Sequence, residues 1–233
     1  MELPAPEELS RWSPLREWRV ALDVLALLRE RAPLAGLPPG EGRPVLVLPG
    51  FNATDRATSL LRRRLRALGY EAHGWGLGLN NGQVNKFLPR LIPRVRELAA
   101  AHGQPVALIG WSLGGYIARE ILREAPEAVA RVITLGSPVV GGPKYTATAR
   151  WYRQQGVDLD EVERRIAARE TAPLQKPILA LYSRHDGIVH WGACFDRRNP
   201  QVRHEEVRVS HLGMTLHPQV FRRIAQALAE PAA

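Results

Sequence analysis

Short apolar runs alternate along this chain with longer stretches in which apolar residues recur every three or four positions. A short apolar run bounded by turn formers reads as a buried strand, and the three-to-four spacing reads as a helix packed by one face. The strand candidates are residues 45–48 (Val-Leu-Val-Leu), 70–75, 106–109 (Val-Ala-Leu-Ile), 132–135 (Val-Ile-Thr-Leu), 177–182 and 205–209. Helical spacing runs through residues 57–68, 85–102, 116–124, 160–170 and 218–230. Pro89 and Pro93 fall inside the 85–102 stretch and predict breaks there, because proline lacks the donor a helix needs. Repeated strand-then-helix order predicts an α/β protein: a mostly parallel sheet of about six strands with helices on both faces. Binding crevices in such sheets lie at the carboxyl ends of the strands.

Two segments depart from the alternation. Residues 14–31 predict a helix in which Leu15, Trp18, Leu22 and Leu25 share one stripe, with Ala21, Val24 and Leu28 beside it. Ser13-Pro14 supplies its N-cap and first-turn proline. The narrow stripe predicts a surface helix packed on the domain, not a membrane anchor. Residues 33–44, rich in Pro and Gly, read as a linker. This divides the chain into an N-terminal helix and linker (1–43) and a main domain (44–233). Within the main domain, residues 139–176 interrupt the alternation apart from the 160–170 helix, and predict a small lid or cap insertion.

Composition changes this picture little. A length of 233 residues, 45% apolar and 24% charged, suits one soluble domain with a sizeable core. The net charge of +9 raises nucleic-acid binding as a competing reading. The basic residues are nearly all Arg, with Lys86, Lys144 and Lys176 as the lysines, and many sit at helical spacing, as in Leu61-Arg62-Arg63-Arg64-Leu65-Arg66. Solvated helix faces explain them better than a nucleic-acid track, so no nucleic-acid partner is expected. The charge also suits anionic surfaces or substrates. Cys194 is the sole cysteine, so no internal disulfide forms, and its default place is a buried apolar site. The first eight residues show no signal-peptide pattern, and no apolar run approaches the ~20 residues that span a bilayer. The expectation is a cytoplasmic protein without stable membrane insertion; its oligomeric state is not legible.

The chemistry concentrates in Gly110-Trp111-Ser112-Leu113-Gly114-Gly115, which lies between a predicted strand and a predicted helix. A G-x-S-x-G turn in that context presents a serine at a strained corner, where flanking glycines remove steric clashes. A serine hydroxyl needs a base, and the base needs an orienting acid. His211, in Val209-Ser210-His211-Leu212-Gly213, follows a strand among small and apolar residues and is the candidate base. His73, His102, His185, His190, His204 and His217 sit less suitably, within elements or crowding the acid. Asp186 follows the 177–182 strand and is the candidate acid; the preceding strand offers only Ser137 at its end. The developing oxyanion needs donors. Leu113 N–H supplies one, and Phe51 N–H, in the Pro49-Gly50-Phe51-Asn52 loop, supplies the second.

The set Leu48-Pro49-Gly50-Phe51, Gly110-Trp111-Ser112-Leu113-Gly114-Gly115, Leu135-Gly136-Ser137-Pro138, Asp186-Gly187-Ile188-Val189 and Ser210-His211-Leu212-Gly213 resembles the lipase/esterase branch of the α/β-hydrolase superfamily, in its compact bacterial form. The resemblance covers residues 44 to the C-terminus. It implies Ser112 as nucleophile, His211 as base, Asp186 as acid, and Phe51 and Leu113 as oxyanion donors. One departure stands out: Pro49-Gly50 replaces the His-Gly of many members. The implied reaction is hydrolysis of a small-molecule ester or acyl substrate through an acyl-enzyme, with no cofactor and no metal. Trp111, Val139, Val140, Tyr145, Ile188 and Leu212 are expected to line the acyl pocket, with Trp151 and Tyr152 as further cap aromatics. The Gly-rich 74–82 loop is expected to run close beside the site. The same residues would serve a thioesterase or acyltransferase, because the pocket selects the leaving group. A non-catalytic binding protein on this fold is the alternative from another class, and it would normally lack one of the three residues.

Overall fold

The computed structural model describes residues 5–30, 34–171 and 173–231. Six strands build the sheet: β1 (Pro44–Leu48), β2 (Glu71–Gly74), β3 (Val106–Trp111), β4 (Val129–Leu135), β5 (Ile178–Tyr182) and β6 (Val202–Glu206). They lie in the order β2-β1-β3-β4-β5-β6, and every neighbouring pair is parallel. Parallel strands require crossovers, and the helices supply them. On one face Val45, Val47, Ile109, Ile133 and Leu181 pack against α2 (Ser59–Ala67) and α7 (Pro218–Ala229). On the other, Leu46, Leu48, Leu108 and Val132 pack against α3 (Val84–His102) and α4 (Leu113–Glu124). Burial on both faces explains why the central strands read as unbroken apolar runs.

Several predicted boundaries shift. The 85–102 stretch forms one unbroken helix, α3, despite Pro89 and Pro93. Both prolines lie on its exposed face, while Phe87, Leu91 and Val95 are buried. The carbonyls that lose their helical donors therefore face water, and a straight run of core contacts holds the helix across them. The last strand begins at Val202, and residues 207–209 leave it along the end of β5, with Val207 N–H bonded to Tyr182 O at 2.8 Å. The post-serine helix begins at Leu113, immediately after Ser112.

The N-terminal segment differs most from expectation. Ser13–Arg19 is a 3₁₀ helix that continues as α1 (Val20–Arg29); the predicted bounds Arg31 and Pro33 lie outside the described residues. The apolar stripe faces outward: Leu15 is 66% exposed, Trp18 63% and Leu22 47%. The side chains turned inward are Ser13, Glu17 and Asp23, so the segment is held to the domain largely by polar bonds.

Residues 139–176 contain a short 3₁₀ turn (Gly142–Tyr145), α5 (Ala149–Gln154) and α6 (Leu159–Arg169). Asp158 caps α6 by accepting from the amides of Asp160 and Glu161. The base of this excursion is stitched to the loop after β5: Ala147 N–H bonds Ile188 O at 2.8 Å, and His190 N–H bonds Tyr145 O at 2.9 Å. Its far side rests on the β1 loop, where the Phe51 ring meets Trp151 and Tyr152 with centroids 5.6 and 5.7 Å away.

Candidate active site

β3 ends at Trp111 and α4 begins at Leu113, so Ser112 alone makes the corner. Its backbone sits at φ +53°, ψ −123°, a conformation that costs a non-glycine residue about 1–3 kcal/mol. The surroundings force it. A Cβ at position 110 would strike the backbone of Gly114 and Gly115, and one at 114 would strike the carbonyls of Leu48 and Pro49. Ser112 N–H continues the sheet to Leu135 O at 2.8 Å, which fixes one side of the turn. Leu113 is the first residue of α4, so its N–H has no intrahelical partner, and the helix dipole adds positive potential there.

Asp186 and His211 arrive from the loops after β5 and β6. Asp186 Oδ1 accepts from the amides of Ile188 (2.8 Å) and Val189 (2.7 Å), and Oδ2 lies 2.6 Å from His211 Nδ1. A carboxylate at that distance places the imidazole proton on Nδ1 and leaves Nε2 as the acceptor. Both side chains are buried. Gly136 makes room for the pair: at φ +54°, a Cβ there would lie 2.9 Å from Asp186 Oδ2 and 3.1 Å from His211 Nδ1. The Trp111 ring lies 5.4 Å from the His211 ring, and its Nε1–H donates to His211 O at 3.1 Å. Burial disfavours the charged imidazole. The Asp186 charge and hydrogen bond, with the Glu17 charge behind them, outweigh it and hold the His211 pKa above its ordinary value.

Sequence reasoning missed what holds these loops. Glu17, from the N-terminal 3₁₀ helix, accepts three backbone N–H groups. Its Oε1 takes Gly187 (2.8 Å) and His211 (3.0 Å), and its Oε2 takes Leu212 (3.0 Å). Asp23 Oδ2 accepts Ser210 N–H at 3.0 Å and Ser210 Oγ–H at 2.6 Å. One segment thus ties together the loops that carry Asp186 and His211. The available signal was two carboxylates among the arginines and apolar residues of positions 11–29.

The β1 loop is braced from the 74–82 loop. Asn80, fully buried, donates Nδ2–H to Pro49 O (2.9 Å) and accepts Asn52 N–H at its carbonyl (2.7 Å), while its own N–H reaches Ala53 O (2.9 Å). A Cβ on Gly50 would sit 3.1 Å from Ser112 Cβ, so the loop backbone passes directly beside the serine.

A cavity of about 640 Å³ opens over Ser112, between the strand ends and the 139–176 excursion. Phe51, Leu113, Ser112 and His211 line it, as do the predicted wall residues Trp111, Ile188 and Leu212. Val139, Val140 and Tyr145 do not reach it. Val139 is buried, Val140 N–H bonds Ala193 O at 2.9 Å, and the Tyr145 hydroxyl donates to Glu163 at 2.8 Å. Tyr152 lines the cavity, whereas Trp151 is exposed above it. Leu88 from α3, Tyr116 from α4, and Val162 and Ile166 from α6 complete the apolar walls. Helix residues of this kind are indistinguishable from core positions in sequence alone. Burial, reinforced by Glu120, pushes the Tyr116 phenol up to about 12, so it stays a hydroxyl donor.

Among the described residues, one group could hold a metal: Glu71, His73 and His102, whose ligand atoms lie within 4.8 Å of one another. It sits on edge strand β2 and the C-terminal end of α3, away from Ser112. Cys194 is buried, and burial, with the Asp186 charge, pushes its thiol well above the ordinary range.

A six-strand parallel sheet, a strained serine corner and an Asp–His pair on the last two strand loops define the α/β hydrolase class. The sequence model of the alpha/beta hydrolase fold matches residues 46–187, and the chain belongs to that family. A pimeloyl-[acyl-carrier protein] methyl ester esterase of Photobacterium profundum is 29% identical over 120 residues, covering 40% of this chain and 44% of the relative. The chain therefore matches less than half of that curated relative's length. Among solved structures, a Bacillus licheniformis lipase in its mature form superposes with TM-score 0.62 at 16% identity, over 83% of this chain and 94% of the lipase. The thioesterase domain from the curacin biosynthetic pathway superposes with TM-score 0.53 at 14% identity, over 83% and 93%. These structural likenesses concern the fold. No helix among the described residues is long and apolar enough to cross a membrane.

Proposed function

We propose that this chain is a serine hydrolase that cleaves carboxylic esters through an acyl-enzyme. The observation that carries the reading is the shared cavity: Ser112 at its strained corner and His211 on Asp186 open onto the same 640 Å³ space. Ser112 Oγ attacks the ester carbonyl while His211 Nε2 takes its proton, and Nδ1–H stays with Asp186. The amides of Leu113 and Phe51 donate to the oxyanion. His211 returns the proton to the leaving alcohol. A water then attacks the acyl-Ser112 ester, its proton passing to His211; the bond from the acyl carbon to Ser112 Oγ breaks, His211 returns the proton to Oγ, and the acid leaves. Neither metal nor cofactor enters these steps. The cavity falls within the roughly 300–1,000 Å³ typical of small-molecule sites, and its Trp111, Leu88, Ile166 and Ile188 walls suit an apolar acyl group. The curated relative's name places an ester in an acylated carrier-protein context, which fits the same acyl chemistry.

The test is hydrolysis of p-nitrophenyl esters of graded acyl length, with matched thioesters alongside. Wild type is expected to turn over esters of medium acyl length, and Ser112→Ala to lose about 10³–10⁶ in kcat. Equal rates for the two proteins would sink the proposal. Preference for the thioester panel would make the chain a thioesterase using the same residues.

A further inference from the structure

Seven of the ten large apolar side chains left exposed among the described residues lie between Trp12 and Leu28. Scattered exposed apolar residues are ordinary; a contiguous set on one element marks an interaction surface. The backbone explains the alignment. A 3₁₀ helix has three residues per turn, so side chains at i and i+3 stack. Trp12 immediately precedes the 3₁₀ turns of 13–19, and Leu15 and Trp18 follow at that spacing; Leu22 and Leu25 extend the line along α1.

Charge is sorted across the same segment. Between positions 11 and 30 there are three acids and four arginines. All three acids point into the protein. Glu17 holds Gly187, His211 and Leu212, Asp23 holds Ser210, and Glu30 pairs with Arg64 and Arg222. Arg11, Arg16 and Arg29 are exposed and Arg19 half-exposed; Arg11 and Arg19 lie over the Trp12 and Trp18 rings at 4.7 and 5.9 Å. The outward face thus carries tryptophan, leucine and arginine, with no carboxylate between positions 11 and 30 to offset the arginines.

We propose that this segment is an interfacial docking element that seats the protein on an anionic bilayer surface. Tryptophan settles at the headgroup level, leucine enters the acyl boundary, and arginine meets anionic headgroups. A second copy of the chain fits worse. A two-fold pairing brings the same patch against itself, setting four arginines against four with no outward acid between them. The docking is peripheral and leaves the fold outside the bilayer. Because Glu17 bonds the loops of Asp186 and His211, and exposed Leu212, whose N–H it accepts, also lines the cavity, docking through this segment brings the cavity mouth to the lipid surface.

The experiment is co-sedimentation of the full chain with vesicles of phosphatidylcholine alone and of phosphatidylcholine mixed with phosphatidylglycerol. Ser112→Ala protein is run in parallel, so binding is read independently of any catalysis. Binding is expected on the mixed vesicles, falling on neutral ones and with added salt. Trp12→Ser/Trp18→Ser and, separately, Arg11→Glu/Arg19→Glu should each lower the partition coefficient by about tenfold or more. Both pairs are solvent-facing, so the thermal midpoint should not move. Equal binding by wild type and both double variants, or no binding to mixed vesicles, overturns the proposal. A wild-type dimer in sedimentation equilibrium that Trp12→Ser/Trp18→Ser converts to monomer assigns the face to a second copy and also overturns it.

Discussion

The serine corner and the loops of Asp186 and His211 reach the same cavity by different physical means. Ser112 is set by neighbours within a few residues: the β3 register, the α4 start, and glycines that fit only because the strand, helix and β1 loop nearly touch. Asp186 and His211 sit on loops without regular structure, and their backbone is fixed from about 170 to 195 residues away by Glu17 and Asp23. Steric confinement is local and tolerates no added atom. Carboxylate clamping is long-range, adjustable and charged. The first half of the site is therefore rigid because of what is absent, and the second because of what is supplied.

After removal of the serine itself, the largest expected effect falls on the half that holds Asp186 and His211. Asp186→Asn keeps the shape but favours the wrong imidazole tautomer, and kcat should fall by about 10⁴ with KM nearly unchanged. A drop below tenfold in steady-state ester hydrolysis would remove Asp186 from the proposed mechanism. On the local half, Gly110→Ala should cost about 3 kcal/mol or more of stability, because the new methyl meets backbone that cannot yield. Urea titration reads this directly, and a midpoint within error of wild type would contradict the steric account. Glu17→Ala strips one carboxylate from three backbone donors, so stability should fall by about 2–3 kcal/mol and kcat by roughly 10–100-fold. If kcat holds while stability falls, the clamp serves the fold and not the loops' alignment.

The smallest effect concerns pH. In the proposed mechanism His211 must be neutral to take the serine proton, and its pKa is held above the ordinary value of about 6.5. Activity should therefore rise with pH through a midpoint above that value. Glu17→Gln removes one of the charges that raise it, so the midpoint should move down, by less than a unit. A pH–rate profile of kcat/KM whose midpoint moves up in Glu17→Gln would reverse the assigned electrostatics.

The contrast between the two halves also explains what was legible in the sequence. The six-strand alternation and the Gly-Trp-Ser-Leu-Gly corner are short-range patterns, and both stand in the structure. The placing of His211 and Asp186 after successive strands followed from strand order, and the structure brings the two together. Nothing local in Glu17 points to a histidine 194 positions away. Asn80 likewise looks like one more polar residue in a Gly-rich loop, although it binds Pro49, Asn52 and Ala53. The narrowness of the N-terminal stripe predicts a packed helix. A stripe shows that one face is apolar, not whether protein covers it, and here three inward acids turn the helix the other way. Proline 89 and 93 misled because their cost depends on whether the freed carbonyls meet water or core, which the spacing alone does not say.

Cys194 bears on how the molecule can be labelled. The chain's single thiol is fully enclosed and held in its neutral form, so alkylating and spin-labelling reagents find no native target on the folded protein. A cysteine placed at exposed Trp151, or along the Trp12–Trp18 line, would be the sole reactive handle. The wild-type molecule is in effect a dark background, on which a single reporter can follow the excursion above the cavity or the approach of a lipid surface without removing any native residue's sulfur.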